Sequence, residues 1–200
     1  MNAVTRELHP DERPRLLALS PEDRRLRFAH AIADEGLQRY VDGIDFARDT
    51  VFVATDDKLH ITGAAHLARD GEHVELGISV LPHARGLGLG AALLDRSTTH
   101  ARNAGVRVLF MNCLVENAPM LHLARKLDLQ VAISSGEVEA SVRLPSPSLR
   151  SLASEVVADH LGLIDHVHKA HWVALRALWL ASFGSRPASA GDGQGVAGES

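Results

Sequence analysis

The chain has 200 residues, of which 46% are hydrophobic and 23% charged, a balance that excludes an unfolded, solvated polymer. Its net charge of -4 and its 4% aromatic content argue against a nucleic-acid binder, which needs a basic surface or stacking rings. The lone Cys113 cannot close an internal disulfide and sits in an apolar run, which predicts a buried, inert thiol in a reducing compartment. The charged start after Met1 and the lack of a long apolar run predict a cytoplasmic protein without a membrane partner.

Val4 to His9 can form a short strand. Ser20-Pro21-Glu22-Asp23 is a helix start, with a capping serine, a proline at the first helical position and acids facing the dipole. Leu26, Phe28 and Ile32 give that stretch an apolar face, and Leu37, Tyr40 and Val41 suit a second short helix. From Thr50 the pattern changes to strands: Thr50 to Thr55, Leu59 to Leu67 and Val74 to Val80, joined by turns at Asp56-Asp57-Lys58 and Arg69-Asp70-Gly71. Three strands with short polar turns predict an antiparallel meander.

A glycine-rich loop follows, then a helix over Ala91 to Ala104 that Gly105 ends. Val106 to Leu114 reads as a strand covered on both faces and parallel to the one before the helix. A short helix over Ala118 to Leu127 precedes a hairpin of Val131 to Ser134 and Glu137 to Leu144, turning at Ser135-Gly136. Pro145-Ser146-Pro147-Ser148 reads as a linker, Leu149 to Phe183 as one or two helices packed on the domain or on a second copy, and the stretch from Gly184 as disordered. The reading divides the chain into residues 1–145, a helical extension over 146–184 and a tail over 185–200.

The loop Arg85-Gly86-Leu87-Gly88-Leu89-Gly90 carries the chemistry. An anion cradle needs several backbone N–H groups turned one way without obstructing side chains, which glycines permit. The helix start near Ala91 adds free amides and a favourable dipole, and Arg85 can donate a charge-assisted hydrogen bond to phosphate. Gly86-x-Gly88-x-x-Ala91 also fits a dinucleotide fingerprint loosely, but that motif expects an early parallel unit rather than a meander. Ala91 and Ala92 stand where a nucleotide-hydrolysing loop has its lysine and hydroxyl.

Two stretches in this order carry a family resemblance: Val80-Leu81-Pro82-His83-Ala84-Arg85-Gly86-Leu87-Gly88-Leu89-Gly90-Ala91-Ala92-Leu93-Leu94, and Glu116-Asn117-Ala118-Pro119-Met120-Leu121-His122-Leu123-Ala124-Arg125-Lys126-Leu127-Asp128-Leu129. The chain from Val4 to Leu144 resembles the GNAT N-acetyltransferase superfamily. That resemblance implies an α/β (α+β) fold, with a mixed, mostly antiparallel sheet flanked by helices. It implies acetyl-CoA as co-substrate, its pyrophosphate on the amides of Arg85, Gly86, Leu87, Gly88, Leu89, Gly90 and Ala91. Pantetheine is expected to pair with the backbone around Ile78 and Val80, where two strands part, and to meet Asn117, which can also cap its helix.

An alkylamine is mostly protonated at neutral pH, so transfer to it requires a base. By the same resemblance that base is Glu75, and the Val80 amide polarises the thioester carbonyl. The alternative for Glu75 is a solvated strand carboxylate. Two departures stand out: Ala124 occupies the position of the family's usual acidic tyrosine, and Asp128 that of a turn glycine. His66 and His83 flank the expected cleft.

Asp165, His166, His168 and His171 cluster without the spacing of a metal site, so no metal is expected. The acids Glu22, Asp23, Asp34, Glu35, Asp42 and Asp45 suit either a cationic acceptor or a solvated helix face. The leading expectation is acyl transfer to a small amine or a protein lysine. The alternatives are a CoA-binding regulatory module without catalysis and, more remotely, a nicotinamide oxidoreductase.

Overall fold

The computed structural model describes residues 4–12, 19–126, 129–134 and 136–183. Asp128, Ser135 and the stretch from Gly184 lie outside the described residues. Seven strands form one sheet in the order β1-β2-β3-β4-β5-β7-β6. They are β1 Arg6–Glu7, β2 Thr50–Thr55, β3 Ile61–Asp70, β4 His73–Val80, β5 Val108–Leu114, β6 Gln130–Ser134 and β7 Glu137–Arg143. The helices are α1 Pro21–Phe28, α2 Asp34–Asp42, α3 Leu89–Asn103, α4 Ala118–Lys126 and α5 Leu149–Phe183. The sheet is mixed and mostly antiparallel, as expected; β4 and β5 form its parallel pair.

Alternation along the strands sorts the side chains onto two faces. Val74, Leu76 and Ile78 of β4 face α3 and α4, where they join Phe52, Leu93, Leu94, Leu109 and Met111 in the main core. Each fully buried leucine there contributes about 1.5–3 kcal/mol. The opposite face carries a smaller cluster of Leu8, Ile44, Val51, Val53 and Ile61. Cys113 is buried in the main core, and burial pushes its thiol pKa up, in keeping with an inert group.

Local chemistry fixes the ends. Ser20 caps α1 by accepting from the Asp23 amide at 3.1 Å, and Gly105 ends α3 with φ 77°. Among the boundaries that differ from the sequence reading, two have a local cause. α3 starts at Leu89 rather than Ala91, because left-handed Gly88 (φ 79°) already serves as its N-cap. The turn before β3 extends to His60, because Asp56 holds the amides of both Lys58 and His60 at 2.8 Å.

Leu149 to Phe183 is one helix rather than two. α5 is tied to α3 through Glu155, which meets His100 at 2.7 Å and Asn103 at 2.6 Å, and through the ion pair of Arg96 with Asp159. Gly162 lets α5 pass close to β1: a β-carbon there would lie 2.6 Å from the Thr5 carbonyl oxygen. Among the described residues no helix is long and apolar enough to cross a membrane.

Candidate active site

β4 is hydrogen-bonded to β3 along its whole length, but to β5 only from His73–Val108 to Glu75–Phe110. β5 instead follows β7 from Val108 to Leu114, so the sheet opens beyond Glu75. The register shows which way the freed backbone faces. Leu81 donates to the Thr62 carbonyl at 2.8 Å, which makes 81 and 62 a hydrogen-bonded pair. Gly63–Val80 and Ala65–Ile78 are then non-hydrogen-bonded pairs, whose β4 N–H and C=O groups turn away from β3. Ile78 and Val80 therefore present their backbone to the opening.

The opening continues into a cleft of about 460 Å3. Its walls include Ile78, Val80, Arg85, Gly86, Gly88, Leu89, Gly90, Ala91 and Asn117, so the fold gathers nearly all the expected cofactor residues in one place. Leu87 is the exception. It is 66% exposed and borders a neighbouring cavity beside α5. Gly86 and Gly88 both adopt left-handed φ, 74° and 79°, which brings the chain round into α3. The first helical bond of α3 runs from Ala92 to Gly88 at 3.0 Å, leaving the Leu89, Gly90 and Ala91 amides ahead of it.

Two expected ligands have protein partners. Arg85 donates from Nε to the Val80 carbonyl at 3.1 Å and pairs through Nη2 with the buried Asp23. Asn117 caps α4, accepting from the Met120 amide at 3.3 Å, and donates to the Leu26 carbonyl at 3.2 Å. Asn117 thus caps its helix, as the sequence allows, while lining the cleft. These bonds, with the ion pair of Arg25 and Glu116, draw α1 across the mouth of the opening.

Glu75 is half-buried on β4 and lines a cavity of about 350 Å3 with Arg27, Tyr40, His66 and Asn112. A polar chain runs beneath it. Arg27 Nη2 donates to Tyr40 Oη at 3.1 Å, Tyr40 meets His66 Nδ1 at 2.6 Å, and His66 Nε2 meets Asp49 Oδ2 at 3.3 Å. Arginine can only donate, so the Tyr40 proton points at His66 Nδ1, and Nε2–H of His66 is given to Asp49. Burial pushes the Tyr40 pKa up and that of His66 down, which favours the neutral form of both. Burial raises the Asp49 pKa, but the Arg69 amide and the Arg48 guanidinium outweigh it, and the carboxyl sits below its usual range.

Arg27 and Asp49 were not visible as site residues in the sequence. They lie on separate elements, and no local spacing links them to His66. His122, which lines the cleft beside Leu123, was likewise missed. His83 is exposed and borders none of these cavities. Ala124 is buried in the core and offers no proton.

Three of the helix acids have arginine partners: Glu22 meets Arg25 at 2.8 Å, Asp34 meets Arg24 at 2.5 Å, and Asp23 pairs with Arg85 of the glycine loop. In α5, Asp165 pairs with Lys169 at 2.7 Å. Among the described residues no group of three histidine, cysteine or acidic side chains is placed to hold a metal ion.

Solved structures share this fold. The GNAT domain of S. lividans PAT superposes with a TM-score of 0.60 at 20% identity, over 70% of this chain and 89% of that one. The ribosomal-protein-S18-alanine N-acetyltransferase of Escherichia coli gives 0.58 at 16%, over 74% and 97%. A putative acetyltransferase from Salmonella typhimurium, solved with its cofactor acetyl-CoA, gives 0.56 at 18%, over 74% and 97%. The model of the Acetyltransferase (GNAT) family matches residues 8–129, more than half of the chain, and the chain belongs to that family.

Proposed function

We propose that this chain is an N-acyltransferase that moves an acetyl group from acetyl-CoA to a primary amine by direct attack on the thioester. The observation that carries the reading is the parting of β4 from β5 after Glu75, with the Ile78 and Val80 backbone facing the opening and the glycine loop at its end. An extended pantetheine arm fits there as an added strand, using the free edge of β4. The pyrophosphate sits on the amides from Arg85 to Ala91 at the start of α3. Arg85 exchanges Asp23 for a phosphate oxygen, and Asn117 lies beside the pantetheine.

The Val80 N–H polarises the thioester carbonyl. Glu75 takes the proton from the acceptor ammonium, directly or through water in the cavity it lines. The amine nitrogen then bonds to the carbonyl carbon, the carbon–sulfur bond breaks, CoA leaves as a thiolate, and the second proton of the attacking nitrogen passes to water or to that thiolate. A thiolate is a competent leaving group at neutral pH, which accommodates Ala124 in place of a proton donor.

Ala124 also motivates a second reading, a CoA-binding module without catalysis. Release of CoA thiol from acetyl-CoA, measured against a panel of small amines and a lysine-containing peptide, separates the two. Amine-dependent release that Glu75→Gln abolishes supports transfer; binding without release supports the module.

A further inference from the structure

We infer that Arg27 anchors a carboxylate on the acceptor, so that the acceptor is a small molecule carrying both an amine and a carboxylate, an amino acid. The inference rests on the acyl-transfer reading and adds the class of acceptor to it.

Arg27 stands where the cavities meet: it lines the cofactor cleft, the cavity of Glu75, and a smaller apolar chamber of about 60 Å3 beneath α2. Its seat is built. Gly77 lies directly under it, and a β-carbon there would come within 1.7 Å of Nη2 and 1.9 Å of Cζ. The Phe28 and Tyr40 rings flank it, with Cζ 5.1 Å and 5.8 Å from their centroids. The polarised chain from Asp49 through His66 ends in a Tyr40 oxygen that accepts from Nη2.

That bond is the one side-chain hydrogen bond of Arg27 among the described residues, and no carboxylate there reaches it as an ion pair. A guanidinium has five N–H donors, so most of its capacity faces the cavities. Asp49 does not neutralise it, because that charge is answered by Arg48 at 3.1 Å. A half-buried cation held rigidly beside its cavities with no carboxylate in ion-pair contact among the described residues is a site for a planar anion, and a carboxylate matches its fork geometry. Glu75 lines the same cavity and offers the opposite charge to an ammonium group. The pair is complementary to a zwitterion, with the amine on the Glu75 side and the carboxylate on Arg27.

The test uses the full chain, acetyl-CoA, and thiol release with the proteinogenic amino acids, each against its α-carboxamide. One or more acids are expected to exceed their carboxamides at least about tenfold in kcat/KM, the worth of a charge-assisted hydrogen bond. Arg27→Gln is expected to remove that preference by lowering the acid alone, with a parent-like thermal unfolding midpoint as evidence of a folded chain. Arg27→Lys, which keeps the charge without the fork, should fall between. Equal rates on acids and carboxamides, or equal losses on both in Arg27→Gln, overturn the inference while leaving acyl transfer standing. So does acetylation of a peptide lysine or of simple amines but of no amino acid. Thiol release with no amine of any kind overturns acyl transfer itself, and the inference with it.

Discussion

Arg27 rests on Gly77 so closely that a β-carbon on the glycine would stand 1.7 Å from the guanidinium. Gly77 has no left-handed torsion to explain it; its role is to leave room for that side chain. Gly77→Ala is expected to push Arg27 off its seat and raise the acceptor KM about tenfold, as for a lost charged hydrogen bond. Calorimetry should show acetyl-CoA still bound, since the amides that face the opening are those of Ile78 and Val80.

Glu75→Gln keeps the shape of the side chain and removes the base. The expected result is a fall in kcat of about 10²–10⁴-fold, the usual contribution of a positioned proton acceptor, with acetyl-CoA binding intact. Steady-state thiol release together with a binding titration reads both quantities.

The glycine loop separates strain from ligand contact. Gly88→Ala forces a β-carbon into left-handed backbone, at a cost of about 1–2 kcal/mol. It should also weaken acetyl-CoA binding, because Gly88 caps the helix whose first amides face the cleft. Gly71→Ala, in the β3–β4 hairpin at the far end of the same strand, carries a similar positive φ of 58° with open space around it. It should lose stability to a similar degree and leave acetyl-CoA affinity alone.

His66 gives stability a pH dependence of defined sign. Burial lowers its folded pKa below its ordinary 6.5, so between the two values the unfolded chain binds a proton that the folded chain does not. The stability this neutral histidine contributes is present above pH 6.5 and is lost as pH falls through that window. His66→Gln should flatten the slope of denaturant-measured stability between the folded pKa and 6.5. The Asp49 carboxyl, lowered from 3.8, contributes stability that is present above its unfolded value and lost as pH falls through its folded one.

Much of the fold was legible because it is written locally. Thr50–Thr55 was read with its observed bounds from its β-branched and aromatic run, and Ser20, Gly105 and Gly136 mark ends through capping or positive φ. The stretch from Ile78 to Ala91, most of whose residues line the cleft, was legible for the same reason: loop and strand are contiguous in sequence. The continuity of α5 was not, since the apolar spacing from Leu149 to Phe183 suits one helix or two equally. The Arg27–Tyr40–His66–Asp49 chain was also hidden. Its members are 13, 26 and 17 positions apart and meet only because α1, α2 and the loop before β2 bring Arg27, Tyr40 and Asp49 to His66 on β3.

The central claim is that the parted edge of β4 and the loop after it hold an acyl-CoA. Titration calorimetry of the purified chain with acetyl-CoA, and with CoA, tests it most directly. One molecule of acetyl-CoA bound per chain, with affinity reduced in Gly88→Ala and retained in Glu75→Gln, is the result expected. No binding of either acetyl-CoA or CoA would contradict the account.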